Sequence, residues 1–219
     1  MCWCKGVPRQ VYRELSTTLL HGNKATPRGR IKVDFKNKLK EFPVIETKKI
    51  RLRKLKLEDA SEVLKYYSNE MVYRYLDWNG PETLEGSLKM IKMWNKGFDD
   101  GWIIRFAICD KVTDKVIGTI FLNEFEGKRA EMGYELSESC WRQGIMSEAI
   151  HEVLLFGFRQ LGLTRIQAFV CKENIASKDI LKRFNFTREG FLRQYECHNV
   201  TGKCNDMYVY GLLSTEFED

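Results

Sequence analysis

The chain has 219 residues, 43% of them hydrophobic and 12% aromatic, which suits one globular domain with a substantial core. No stretch approaches the ~18 consecutive apolar residues of a membrane span. The opening MCWCKGVPRQ also lacks the apolar core of a secretory signal, so the expectation is a cytoplasmic protein without a membrane partner.

The net charge of +6 is concentrated at one end. Residues 1–40 carry ten Lys/Arg against two Asp/Glu, which leaves 26 bases and 28 acids for the rest. This reads as a basic extension (1–40) on a near-neutral domain (41–219). A charge run of this kind is a solvated tail, and weak contact with ribosomal or RNA surfaces is the sharper reading.

In chain order, Val11, Tyr12, Leu15 and Leu19 fall at helical spacing, with Pro8 suited to a first turn, and predict a short amphipathic helix over 8–20. GNKATPRGR (22–30) reads as a linker, and the domain proper is expected to begin near Phe42. A chain starting at Lys40 should then keep its activity. Ile50–Leu55 alternates as a strand. Leu57-Glu58-Asp59 introduces a helix with Ala60, Val63, Leu64 and Tyr67 on one face. After DWNGPE (77–82) a second helix carries Leu84, Leu88, Ile91 and Trp94.

WIIRFAICD (102–110), VIGTIFLNEF (116–125) and RAEMGYELS (129–137) read as three strands. Their short connections make an antiparallel meander. A helix opened by RQGIM follows, with Ala149, Val153, Leu154 and Phe158 inward, and stops at Gly162. RIQAFV (165–170) is a strand, ASKDILKRF (176–184) a helix, and FTREGFLRQYECH and DMYVYGLL close the chain as strands.

Seven cysteines include no Cys-x-x-Cys pair. Cys197-His198 with Cys204 reads as half of a metal site, but no second cluster has ligand spacing. The expectation is therefore reduced thiols and no metal.

Gly144, in CWRQGIMSEA, sits between a strand and a helix. The first N–H groups of a helix lack intrahelical partners, and the helix dipole adds positive charge there. A glycine in such a turn lets backbone amides approach a phosphate. Arg142 adds a full charge, and Ser147 a hydroxyl. By itself such a glycine is more often a plain turn.

With VCKENIASKDILKRFNF, which puts Asn174 just past a strand and Ser177 in the next helix, the element order resembles the GNAT superfamily of acetyl-coenzyme A-dependent N-acetyltransferases. The branch it is most similar to is the ribosomal-protein alpha-N-acetyltransferases (RimJ/RimL-like). The resemblance runs from about Phe42 to Leu213. It implies an α+β fold, a mixed central sheet of about seven strands flanked by about four helices, with acetyl-coenzyme A as cosubstrate. The pyrophosphate loop falls on Arg142, Gln143, Gly144, Ile145, Met146 and Ser147, through backbone amides. The strand that pairs with the pantetheine amides falls on Tyr134, Glu135 and Leu136, and a further polar contact on Asn174.

There are departures. Met146 stands where Gly or Ala is frequent, and Asn185 where a Gly is usual; Asn tolerates a left-handed conformation. Leu181 stands where many members have a tyrosine general acid, so that role has no bearer here.

Acetyl transfer to an amine needs a base for the amine proton, stabilisation of the thioester oxygen and a partner for the departing sulfur. The branch resemblance puts the base on Glu196 and the sulfur's partner on Ser177. Ser177 also reads as a helix cap and Glu196 as a surface residue. Glu124, Glu131 and Asp206 are further acids in strand-like runs, Asp206 more as an anchor for its strand. Trp78 and Trp94 read as core or cleft wall.

The acceptor implied is a primary amine, first the alpha-amino group of a (ribosomal) protein N-terminus. A small amine (polyamine, amino acid or drug) is the alternative. A non-catalytic coenzyme-binding module docking on ribosome or RNA through the basic tail is a reading of a different class. Either a monomer or a homodimer fits the sequence.

Overall fold

A computed structural model of the protein describes residues 35–218. The helix expected over 8–20 and the linker over 22–30 lie outside the described residues. The chain runs through a short helix α1 (Phe35–Lys38), strands β1 (Ile45–Glu46) and β2 (Ile50–Arg53), and a 3-10 turn at Leu57–Asp59. Helices α2 (Ala60–Tyr67), α3 (Glu70–Tyr73) and α4 (Leu84–Asp99) follow. Then come β3 (Ile103–Asp110), β4 (Val116–Glu126), β5 (Arg129–Leu136), α5 (Ile145–Leu155), β6 (Arg165–Cys171), α6 (Ile175–Arg183), β7 (Thr187–Cys197) and β8 (Cys204–Leu213).

The strands form one sheet in the order β1-β2-β3-β4-β5-β6-β8-β7. The expected meander β3–β4–β5 is antiparallel throughout. Strand β1, two residues long, brings the total to eight rather than about seven.

Both faces of the sheet are covered, which explains why β3 is almost continuously buried instead of alternating with solvent. Ile104, Phe106 and Ile108 turn to one core, packed under α5 with Ala149, Ile150 and Val153. Ala107 and Cys109 turn to the other, with Val63 and Tyr67 of α2 and Ile91 and Trp94 of α4. Side chains alternate across a strand, so one strand serves both cores.

The buried face of α4 is Ser87, Met90, Ile91, Trp94 and Phe98. Leu84 is 50% exposed, so the expected face is rotated toward the residues that meet β3. Helix α3 was not expected; its start is fixed locally, by Asn69 Oδ1 accepting from the Met71 amide.

Two features depart from expectation. Phe35 is fully buried, with ring centres 4.9 Å from Phe125 and 5.8 Å from Phe98. Lys38 Nζ donates to the Leu161 carbonyl at 2.5 Å. Phe35 and Lys38 therefore pack on the domain although they precede residue 41. Second, Cys197 and Cys204 are not free thiols but a disulfide. They are direct partners across the β7–β8 hairpin, a pairing that spacing alone does not reveal. Cys109, Cys140 and Cys171 are free. No helix among the described residues is long and apolar enough to cross a membrane.

Candidate active site

Strands β5 and β6 are parallel neighbours only at Arg129–Arg165, Ala130–Ile166 and Glu131–Gln167. Beyond Glu131 they part, and β6 continues against β8 alone. The gap holds a cavity of about 600 Å³. Tyr134 and Leu136 of β5 line one wall. Ala176, Asp179, Ile180 and Arg183, one stripe of α6 at helical spacing, line the other. Helix α6 begins where it does because Asn174, itself 2% exposed, accepts the Ser177 amide on Oδ1 at 3.2 Å.

The mouth is the loop into α5. Gly144 is the residue before the helix, at φ +77°, and Arg142 has φ +59°. A Cβ at Gly144 would meet only Lys49 Nζ at 3.6 Å. Glycine is required here by its left-handed backbone, not by crowding. The amides that follow open α5, with no side-chain cap across them. Arg142, Gly144, Ile145, Met146 and Ser147 all line the cavity, as does Asn174. An extended, anionic cosubstrate fits this arrangement: a slot with a helix N-terminus at its mouth, and three arginines, Arg74, Arg142 and Arg183, among its lining residues.

Gln143 and Glu135 are not among the lining residues. Gln143 turns its side chain to the Ser139 carbonyl at 2.8 Å. Strand alternation sends the Glu135 carboxylate to the opposite face, where Oε1 accepts from Tyr67 at 2.9 Å, from Arg105 Nη1 at 3.0 Å and from Thr119. Only the Glu135 backbone is available to the cavity.

Ser177 is fully buried on the inner side of α6. Its Oγ has no hydrogen-bond partner among the described residues, a costly state for a buried hydroxyl unless a ligand atom completes it. Glu196 is half-buried on β7, opposite Asn205. That register places it on the face of the sheet that carries Met207 and the α2/α4 core, across from α5. Neither Ser177 nor Glu196 borders the cavity.

On the Glu196 face the β7–β8 tip docks on the loop after α3. Asn199 donates to the Asp77 carbonyl at 2.7 Å, and His198 Nε2 lies 2.9 Å from Asn79 Oδ1. Burial pushes the Asp77 carboxyl up to about 7 and the His198 imidazole down. Asp206 anchors its strand as expected: Oδ1 accepts the Gln194 amide at 2.9 Å. Glu131 is buried at the point where the sheet parts, and Glu124 is exposed on a bulge. Trp94 is core, and Trp78 packs on Tyr67.

Met71, Arg74 and Tyr75, with Cys140 and Trp141, also line the cavity and were not foreseen. The α6 stripe could have been found from its spacing, whereas the α3 segment reaches the cavity through long-range contacts such as that between Asn69 and Glu138. Among the described residues no three His, Cys, Asp or Glu side chains gather to hold a metal ion.

Comparison with known proteins agrees with this geometry. The acetyltransferase (GNAT) domain family matches residues 49–187. An uncharacterized N-acetyltransferase of Bacillus licheniformis is 38% identical over 173 residues, 78% of this chain and 96% of the relative. The ribosomal-protein-serine acetyltransferase of Escherichia coli is 38% identical over 89 residues, 39% of this chain and 49% of that protein. Among solved structures, a ribosomal alpha-N-protein acetyltransferase (RimL) in complex with coenzyme A superposes with a TM-score of 0.70 at 23% identity, covering 78% of this chain and 98% of that one. The chain is an acetyl-transferring enzyme of the GNAT family, with acetyl-coenzyme A as its cosubstrate.

Proposed function

We propose that the acetyl group goes to the alpha-amine of a protein N-terminus, with ribosomal proteins as the first candidates. The observation that carries this reading is the parting of β5 and β6. Beyond Glu131 no strand lies between β5 and the cavity, so an acceptor amine can meet the cosubstrate there. An extended N-terminal segment fits such an opening. The partial match to the Escherichia coli ribosomal-protein-serine acetyltransferase supports the acceptor class.

In this reading acetyl-coenzyme A supplies an activated acyl carbon, and the chain does the rest. Amides of Arg142–Ser147 bind the pyrophosphate, and β5 at Tyr134–Leu136 and Asn174 hold the pantetheine arm. Glu196 takes a proton from the ammonium, directly or through water, so that the nitrogen lone pair can attack. As the new C–N bond forms and the C–S bond breaks, the Ser177 hydroxyl hydrogen-bonds the departing sulfur, and the nitrogen's surplus proton passes to that sulfur, leaving the amide and the coenzyme A thiol. The setting is the cytoplasm, the enzyme a monomer or homodimer, and residues 1–40 a basic arm making weak contact with the ribosome or RNA.

An acceptor screen tests the proposal: short peptides with free Ser, Ala or Met N-termini, the same peptides with blocked N-termini, and polyamines and amino acids. Turnover with free N-termini only is the expected result. Turnover with small amines in preference to every peptide would replace this acceptor assignment.

A further inference from the structure

Lys49 lies in the turn between β1 and β2, outside the cavity, yet it touches the loop at the cavity's mouth. Its Nζ donates to the Gln143 carbonyl at 2.8 Å, across 94 positions of sequence. The turn that carries it is held on three sides. The Lys49 amide donates to Glu148 Oε1 at 2.9 Å, the Lys49 carbonyl accepts from the Lys111 amide at 3.0 Å, and Thr47 closes on the Ile50 carbonyl at 3.0 Å. Burial raises the Glu148 carboxyl, but contacts with Thr47 and with the Lys49 and Lys48 amides outweigh it, so Glu148 stays an anion in the first turn of α5.

The contact matters because of what it does to one peptide plane. Gly144 follows Gln143 in a left-handed conformation, and a glycine takes either sign of φ, so its own sterics do not fix the peptide joining Gln143 to Gly144. No cis bond occurs among the described residues, and in a trans peptide the C=O and the following N–H point in opposite directions. Gly144 borders the cavity; Lys49 does not. A carbonyl drawn outward to Lys49 therefore turns the Gly144 N–H inward, ahead of the free amides of α5.

We infer that Lys49 is a positioning residue for cosubstrate binding: it locks the Gln143–Gly144 peptide with its N–H presented to the pyrophosphate. This rests on the phosphate reading of the Arg142–Ser147 loop. Lys49 never contacts the reacting atoms, so it acts on binding and not on the acetyl transfer step.

The test uses two ligands on the full chain: coenzyme A by calorimetry, and pantetheine, which lacks the pyrophosphate, by NMR titration. Lys49→Met should weaken coenzyme A about fivefold to tenfold, the scale of one exposed charge-assisted hydrogen bond, and leave pantetheine within about twofold. Lys49→Arg keeps a cationic donor and should recover most of the affinity. A Lys49→Met loss equal for both ligands, or absent for both, overturns the role of Lys49 while leaving the loop reading intact. Equal affinity of the unaltered protein for coenzyme A and pantetheine overturns the loop reading, and the role of Lys49 with it.

Discussion

Arg105 on β3 donates to Glu135 on β5 at 3.0 Å while its guanidinium lies 3.7 Å from the Phe121 ring centre and 4.1 Å from that of Trp94. Both side chains are nearly fully buried. The pair crosses β4 and fixes the stretch of β5 that flanks the cavity, since Tyr134 and Leu136 are the immediate neighbours of Glu135. Removing one partner strands a buried charge, at a cost of about 3–5 kcal/mol. Glu135→Ala should lower Tm by more than about 6 °C and weaken coenzyme A binding. The double variant Arg105→Met/Glu135→Leu should be the more stable of the two. Thermal melts and calorimetry on the same samples check both; a single variant as stable as the parent would contradict the pairing.

Gly144→Val forces a β-branched residue into φ +77°. Space for its Cβ exists beside Lys49, so the expected damage is to the loop's shape and not to the core. Coenzyme A affinity should fall at least about tenfold, with Tm changed by only a few degrees, because the strain of about 1–3 kcal/mol reshapes the amides of the mouth. Calorimetry showing unchanged affinity would remove this loop from the site.

Asp77 sets a pH dependence of stability. Its folded pKa, about 7, is above the unfolded value near 4, so the folded state holds more protons between those limits. Stability from this group is therefore present at low pH and is lost as pH rises from about 4 to 7. Asp77→Asn removes the charge, so its Tm should exceed the parent's by about 2–6 °C at pH 8 and converge with it near pH 4. Parallel Tm curves across that range would contradict the raised pKa.

Phe35 belongs to the core although it precedes residue 41. Phe35→Ala should cost about 3–5 kcal/mol, as for a ring deleted from a core. A chain starting at Lys40 should melt earlier than one starting at Asp34, although both retain the cavity. Equal melting of the two chains would put the boundary back at residue 41.

Much of the fold was legible because it is local. The turn-rich links around β4 dictate a meander, and Gly162, at φ +67°, follows the π-helical turn Phe156–Gln160 that continues α5. Asn185, which stands where a glycine is usual, does adopt a left-handed backbone, at φ +58°. What escaped is long-range. Lys49 meets Gln143, Asn69 meets Glu138 and Phe35 meets Phe125 only after the sheet has assembled. The Cys197–Cys204 bridge depends on hairpin register, which the spacing of the two cysteines does not carry. The pattern placed Ser177 and Glu196 by resemblance, but which face of the sheet Glu196 occupies needed the pairing with Asn205.

The most direct measurement is steady-state kinetics of Glu196→Gln with the best acceptor from the screen, beside coenzyme A affinity for the same protein. Gln keeps the size and reach of Glu196 but cannot take the ammonium proton. A fall in kcat of about 10²-fold or more is expected, with coenzyme A affinity nearly unchanged and a flattened low-pH limb. Ser177→Ala should lower kcat by less, since water can reach the sulfur in its place. A Glu196→Gln enzyme within about threefold of the parent, below the range for general-base help, would contradict the account and move the search for a base to Glu131 and Glu124.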